Sequence, residues 1–270
     1  MSSILIICIL FFSALFSGIA VFFFKRDNPS VLKLVLAFSG AFLFAITALH
    51  LIPEVYHSGS TPAETIGLFI IGGFIFQLVL EHFSQGIEHG HIHHDSHAAF
   101  PLGILISLCL HAFLEGMPIA SGHQTELVFG IAIHHIPASF ALGSLMLDSR
   151  ASKIKIFVFI FIFAMMTPAG FLVSKGLSKG ELGDISKHFD KIMAVVIGIF
   201  LHISTTILFE SGNPDHHKFN SKKFLAILLG IGIAIVSLYA IPHDHSHHDH
   251  DHGHEHEHHE HHEHDHHHSH

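Results

Sequence analysis

The sequence has no tryptophan, only two cysteines and few charged residues. Of its 270 residues, 13% are Asp, Glu, Lys or Arg, whereas 49% are apolar. Soluble domains usually carry about a quarter charged residues, so the composition excludes an ordinary soluble fold and favours a membrane protein. Cys8 and Cys109 both lie within apolar runs, which excludes a disulfide framework and a cysteine-based zinc finger. No basic cluster typical of nucleic-acid binding is found, so we expect no nucleic-acid partner.

Two common catalytic motifs are also missing from the apolar part of the chain. It contains no phosphate-binding GxxxxGK[ST] loop, which argues against ATP-driven chemistry. It contains no HExxH motif, the usual zinc-binding pattern of metalloproteases. The apolar part therefore offers no recognisable catalytic machinery, and we expect that the protein is not an enzyme.

Eight apolar runs are long enough to cross the hydrocarbon core of a membrane. About 20 helical residues span its roughly 30 Å, and the runs do not alternate as barrel strands do. The sequence therefore predicts an all-α fold, a polytopic membrane protein with eight transmembrane helices in a bundle. The runs cover residues 4–24, 31–55, 66–83, 100–120, 127–147, 154–173, 189–209 and 224–241.

Basic residues are distributed unevenly over the loops between these runs. Under the eight-span count, Lys25, Arg26, Arg150 and most other basic residues fall on one side. Because cytoplasmic loops are enriched in Lys and Arg, we expect both termini to be extracytoplasmic. The transmembrane domain then covers residues 1–241, with a histidine-rich cytoplasmic loop at residues 84–99. Residues 242–270 are almost only His, Asp and Glu, which predicts a disordered, metal-collecting extracytoplasmic tail.

Metal-ligand residues lie in the middle of two neighbouring spans. His111 and Glu115 are four residues apart on the fourth span and therefore share a helix face. His134 and His135 lie on the fifth span, at a depth of about 11 to 12 Å, and His111 is about 16 Å deep from the other side. Ionisable groups at this depth are rare and usually functional. The four side chains predict a metal site near the membrane midplane, rather than a purely structural polar network.

Other polar residues in the spans leave two interpretations open. His50 and Glu54 are four apart near the outer end of the second span, where they either guide an ion inwards or form a solvated helix end. His202 in the seventh span either has a functional role or donates a hydrogen bond to a carbonyl. Glu81 and His82 at the end of the third span are typical of a wetted helix end.

Small residues suggest how the helices pack around the ligands. Ala112, Gly116 and Ala120 recur every four residues on the fourth span, and such rows allow close approach of another helix backbone. Pro118 and Pro137 each leave a carbonyl without its helical donor. We expect the fourth and fifth spans to pack closely around the ligands.

These motifs resemble those of the ZIP family of divalent-metal transporters. The family has eight spans, both termini outside, a histidine-rich loop between spans three and four, and a binuclear metal centre on spans four and five. His111 and Glu115 match the family's His-Asn motif and its following acid. The sequence His134-His135-Ile136-Pro137 matches its fifth-span motif, and His50 to Glu54 resembles its HLLPE. The layout of all eight spans fits the family, while the specific likeness is confined to these three motifs.

The chain departs from the family pattern at three positions. Ala112 replaces the asparagine, Ala138 replaces a bridging glutamate, and Thr167 stands where some bacterial members have an acid before a proline. In the family these residues belong to the second metal position. We therefore expect a single midplane site formed by His111, Glu115, His134 and His135, with a second ion bound weakly or not at all.

The resemblance implies transport of a divalent metal ion by a multi-pass protein of the plasma (inner) membrane. We expect Zn²⁺ uptake into the cytoplasm, with Fe²⁺ or Mn²⁺ as other substrates and no cofactor beyond the transported metal. The expected partners are the ion and the lipid bilayer, and a homodimer is one assembly that the sequence allows. Two alternatives stay open: a metal exporter, and an intramembrane zinc-dependent hydrolase.

Overall fold

The computed structural model describes residues 1–23, 29–58, 61–84, 102–121, 125–149, 151–177, 188–210 and 221–240. Within these ranges all regular secondary structure is helical, which confirms the predicted all-α fold. Apart from Ser84, the predicted loop at residues 84–99 lies outside the described residues, and so does the tail at residues 242–270. The helices are α1 (Ser3–Ala20), α2 (Pro29–Ile46), α3 (Ile52–His57), α4 (Ala63–Ser84), α5 (Leu102–Gly116), α6 (Thr125–Asp148), α7 (Lys153–Leu177), α8 (Phe189–Glu210) and α9 (Ser221–Ala240).

Seven helical segments in the described part of the chain are long and apolar enough to cross a membrane. They correspond to the first seven predicted spans, and the protein is an integral, multi-pass membrane protein. The predicted eighth span coincides with α9, which is a helix but is not among the seven. The eight-span count and the outward placement of both termini remain predictions.

The second span contains a π-helical turn where the sequence predicts an uninterrupted helix. Between α2 and α3, residues Thr47–Leu51 form this turn, and the N–H of Ile52 donates to the carbonyl of Thr47, five residues back. Pro53 follows directly, has no N–H, and would clash with the carbonyl of Leu49 in a regular helix. The wider turn relieves that clash, and such turns are frequent at functional sites.

Glycines allow four helix pairs to approach closely. A Cβ on Gly73 of α4 would overlap the backbone of Val195 in α8, and one on Gly116 of α5 would overlap the carbonyl of Thr167 in α7. Gly230 of α9 lies in the same way against α2, and Gly143 of α6 lies against α1. Packing of backbone against backbone, as at small-residue rows in membranes, therefore joins α4 with α8, α5 with α7, α2 with α9 and α1 with α6.

These contacts divide the bundle into two helix groups. The most extensive helix contacts, of which α2 with α8 is the sixth, join α1, α5, α6 and α7 in a first group and α2, α4, α8 and α9 in a second. One buried apolar cluster is built from the first group alone, and a larger one contains residues of both groups. The main contacts between the groups are those of α2 with α6 and of α4 with α5, together with a 3₁₀ turn (Met117–Ser121) that packs on α8.

The expected close packing of the fourth span against the fifth is wrong. The small-residue row around Gly116 lies against α7, not α6, and α5 packs mainly on α7 and α4. α6 packs instead on α1, where Ser139 donates to the carbonyl of Ala14 at 2.7 Å and Ser17 donates to the carbonyl of Ile136. The ligands on α5 and α6 therefore meet through their side chains, across a gap between the two backbones.

Candidate metal site

The centre of the candidate site is the carboxylate of Glu115 on α5. Its Oε1 lies 2.9 Å from Nε2 of His111, one turn earlier on the same helix. Both side chains are almost fully buried, with 0% and 2% of their surface exposed. The four-residue spacing brings the imidazole and the carboxylate to one helix face, as the sequence predicts.

α6 supplies two further imidazoles from the opposite side. Nε2 of His135 lies 2.8 Å from Oε2 of Glu115. His134 contributes a ring nitrogen to a cluster with His111 and Glu115, in which the three ligand atoms lie within 4.8 Å of one another. The rings of His111 and His134 meet edge to face, with centroids 6.0 Å apart. The structure therefore brings together all four side chains that the sequence singled out at this depth.

The four side chains do not have equivalent positions. His111, Glu115 and His134 converge on one point, whereas His135 contacts the other oxygen of Glu115. Two neutral imidazoles and one carboxylate form a donor set that zinc and other first-row divalent ions accept. His135 contacts Oε2 of Glu115, the oxygen that does not face His111. Groups behind a metal ligand commonly orient it in this way.

The walls of the site come from α7 and from small residues. The ring of Phe163 lies 5.4 Å from that of His135, centroid to centroid. One turn later on α7, Thr167 is buried and its carbonyl lies against Gly116, next to Glu115. Ala112 and Ala138 are buried within the apolar cluster of the first helix group. None of these three positions, Ala112, Ala138 and Thr167, offers a carboxylate or an imidazole, and the single-ion site remains a prediction.

His50 and Glu54 lie outside this cluster. They sit in and just after the π-helical turn, with Nε2 of His50 3.7 Å from Oε2 of Glu54, and their side chains are 12% and 29% exposed. The π-helical turn and α3 pack on α2, α4 and α8 of the second helix group, whereas the central ligands belong to the first. The partial exposure of His50 and Glu54 contrasts with the near-complete burial of the central cluster.

Sequence reasoning missed one polar pair. Glu81 of α4 contacts Nε2 of His202 of α8, so Glu81 is not simply a wetted helix end. His82 beside it is exposed, as expected. The sequence did mark Gln77 and Glu81 as two polar residues, four apart, in an otherwise apolar run. No local pattern, however, indicates that this part of the third span contacts the seventh.

Comparison with known proteins places this arrangement in a family. The family model for the ZIP Zinc transporter matches residues 1–101 and 93–238. Zinc transporter ZIP9 of Xenopus tropicalis is 29% identical over 178 residues, which cover 60% of this chain and 58% of that protein. Zinc transporter ZIP9 of Micropogonias undulatus is 29% identical over 176 residues, covering 59% and 56%. The chain thus matches less than three fifths of the length of these relatives.

Proposed function

Because the chain belongs to the ZIP zinc transporter family, as its motifs predict, we propose that it carries divalent metal ions, Zn²⁺ first among them, across a membrane. The observation that supports this most is the buried cluster of His111, Glu115 and His134 in the middle of two spans. Burying a carboxylate at this depth costs several kcal/mol unless a positive partner compensates it. A divalent cation provides that compensation.

The composition of the site suits transport better than storage. Glu115 supplies one negative charge, and the imidazoles supply neutral nitrogen ligands that bind Zn²⁺ without adding charge. Three protein ligands leave one position of a tetrahedral zinc ion open, where an incoming ligand can bind and help to release the ion. His135 keeps the second oxygen of Glu115 in place, or joins the ion's ligands when the carboxylate turns.

The proposal also includes the route of the ion through the protein and the direction of transport. His50 and Glu54 guide the ion from the outer side, and the histidine-rich loop at residues 84–99 receives it in the cytoplasm. The protein resides in the plasma (inner) membrane and moves Zn²⁺ inwards, with Fe²⁺ and Mn²⁺ as competing substrates. The two helix groups offer the moving parts, since carriers of this kind rock one helix group against another around a fixed site.

Replacement of Glu115 tests the proposal. The purified full-length chain in proteoliposomes, with a zinc-sensitive dye inside, should take up Zn²⁺. Glu115→Gln keeps the shape but removes the charge and should lower the initial rate at least about tenfold. Glu64→Gln, at an exposed carboxylate in the first turn of α4, serves as the control and should leave the rate unchanged. An unchanged rate for Glu115→Gln would remove the site from consideration.

The direction of transport needs a cellular measurement. Cells that express the chain should accumulate zinc if it is an uptake carrier, whereas a fall in cell zinc would identify an exporter. The hydrolase alternative is disfavoured by Glu115 itself, because both its oxygens contact imidazoles and neither is left as a general base. Rapid exchange of the bound ion in the purified protein distinguishes a carrier from an enzyme with resident zinc.

A further inference from the structure

Three lysines lie close together at the ends of α2 and α9 that the predicted topology places at the cytoplasmic side. Lys33 lies near the start of α2, and Lys222 and Lys223 lie in the first turn of α9. Lys33 and Lys222 are exposed, whereas Lys223 is half-buried. Lysines that flank an apolar helix commonly extend their ammonium groups to the level of the lipid headgroups.

Close packing of α9 on α2 brings two of these lysines to the same level. A Cβ on Gly230 would overlap the α2 backbone at Phe38 and Phe42, so Gly230 lies level with the midpoint of these two residues. Lys223 precedes Gly230 by seven residues, and Lys33 precedes that midpoint by seven. Because the predicted topology makes the two helices parallel, both lysines lie about 10 Å from this contact, in the same direction.

Lys223 also connects this level to α8. Its Nζ donates to the carbonyl of Leu208 at 3.1 Å, in the last turn of α8, where carbonyls have no helical donor. Burial and the nearby ammonium of Lys33 both lower the pKa of Lys223. The two positive charges are therefore close enough to repel each other, and an anion near both would stabilise the junction of α2, α8 and α9.

An exposed apolar surface continues from the lysines along α9. Lys222, Leu225 and Leu229 share one helix face at spacings of three and four residues, and the two leucines are 57% and 52% exposed. Val35 of α2 is exposed as well. A phospholipid offers a phosphate to the charges and acyl chains to the apolar face, whereas a free phosphate ion offers only the first.

We propose that the three lysines bind the phosphate of an anionic phospholipid in the cytoplasmic leaflet, with one acyl chain along Leu225 and Leu229. Anionic lipids give that leaflet a negative surface potential that attracts lysines, and lysine is a common phosphate ligand. The lipid neutralises the charges that the contact between α2 and α9 brings together, and it anchors the second helix group in the bilayer. This binding is independent of the transported ion.

The absence of tryptophan from the chain allows a direct test. Leu225→Trp places the sole tryptophan of the full-length protein on the exposed face that Lys222 shares. Bromine atoms on an acyl chain quench tryptophan fluorescence at short range, so quenching reports which lipid lies against α9. In bilayers of phosphatidylglycerol and phosphatidylcholine, with bromine on one lipid or the other, the anionic lipid should bind at least about threefold more tightly.

Two matched double variants of the Leu225→Trp protein identify the lysines. Lys33→Gln with Lys222→Gln should bring the preference for the anionic lipid down to nearly one. Lys153→Gln with Lys155→Gln removes the same charge at exposed positions in the first turn of α7 and should retain the preference. In pure brominated phosphatidylcholine all three proteins should be quenched equally, which shows that the tryptophan remains in contact with lipid.

The result has clear opposites. Equal quenching by the two lipids in the Leu225→Trp protein would overturn the proposal, and so would an equal loss of preference in both double variants. Inorganic phosphate, compared with chloride at the same ionic strength, should not reduce the preference for the anionic lipid. A selective loss with inorganic phosphate would show that the lysines bind the free ion and not a lipid.

Discussion

At the scale of single residues, Glu115 organises the candidate site because its two oxygens have different partners. Oε1 faces His111 within the cluster that His134 completes, while Oε2 is held by His135. An ion bound in the cluster gains the carboxylate charge without having to orient the side chain, because His135 has already fixed it. Preorganisation of this kind raises affinity without adding a ligand.

The two neighbouring histidines on α6 should therefore differ in their mutational effects. His134→Ala removes a converging ligand and should reduce Zn²⁺ transport to background. His135→Ala removes the partner of Oε2 of Glu115 and should raise the KM for Zn²⁺ by about tenfold while transport continues. Initial rates over a range of Zn²⁺ concentrations in proteoliposomes make the comparison, and His82→Ala, at an exposed histidine, is the control. Equal loss in both α6 variants would make His135 an obligatory ligand.

The sequence predicts the central residues well and the peripheral pair poorly. His111 and Glu115 are recognisable because a four-residue spacing within one span brings them together, and His134 is recognisable by its depth. Glu81 and His202 belong to spans separated by more than 100 residues, so only the packing of α4 on α8 reveals their contact. Local patterns identify ligands on one helix, whereas pairing between helices requires the fold.

At the scale of helices, glycine position decides which backbones touch. Adjacent Gly72 and Gly73 of α4 illustrate this, because a Cβ at Gly72 meets nothing within 4 Å while one at Gly73 overlaps the backbone of Val195. A backbone atom cannot rotate away as a side chain can. The same geometry occurs beside the metal site, where Gly116 and Gly170 bring α5 and α7 together.

Alanine at these two adjacent positions should have opposite consequences. Gly73→Ala should destabilise the protein by about 1–3 kcal/mol, because α4 and α8 must separate to accommodate the methyl group. Gly72→Ala faces open space and should leave stability unchanged or raise it by roughly 0.5–1 kcal/mol through reduced backbone entropy. Thermal unfolding of the two purified variants in one detergent tests the pair. Similar melting temperatures would show that the α4 and α8 backbones are not in close contact.

The sequence predicts where the helices lie better than it predicts which helices pack together. The seven apolar segments follow from run length alone, since about 20 residues are needed to cross the bilayer. The π-helical turn before Pro53 did not follow, because the sequence shows the proline but not how the chain relieves its clash. The partner of the Gly116 row was predicted as α6 and is α7, because a small-residue row specifies close packing without specifying the neighbour.

At the scale of the whole molecule, the central ligands and the Glu81–His202 pair lie in different helix groups. α5 and α6, which carry His111, Glu115 and His134, belong to the first group, whereas α4 and α8 carry Glu81 and His202. Backbone contacts at glycines join the helices in pairs within each group. Relative movement of the groups would therefore change the distance between the central ligands and this pair while each set stays intact.

Cross-links placed between the helix groups or within one group should show whether transport requires movement of one group relative to the other. Ser107 donates to the carbonyl of Leu80 across the boundary between the groups, and Ser139 donates to that of Ala14 within the first group. After Cys8 and Cys109 are replaced by serine, Leu80→Cys with Ser107→Cys provides the first pair, and Ala14→Cys with Ser139→Cys the second. A short bis-methanethiosulfonate reagent, which forms a disulfide with each cysteine and releases methanesulfinate, should stop Zn²⁺ transport in the first variant and spare it in the second.

Both cross-linked proteins keep Glu115 and all three histidines, so loss of transport in the Leu80/Ser107 variant alone cannot come from loss of the ion's ligands. Reduction of the cross-link should restore the rate, which excludes damage from the cysteines themselves. Full transport with the groups joined would mean that the ion crosses without rocking of one group against the other. Its passage would then depend on side-chain motion along the polar faces of α5 and α4, where Ser107 already contacts Leu80.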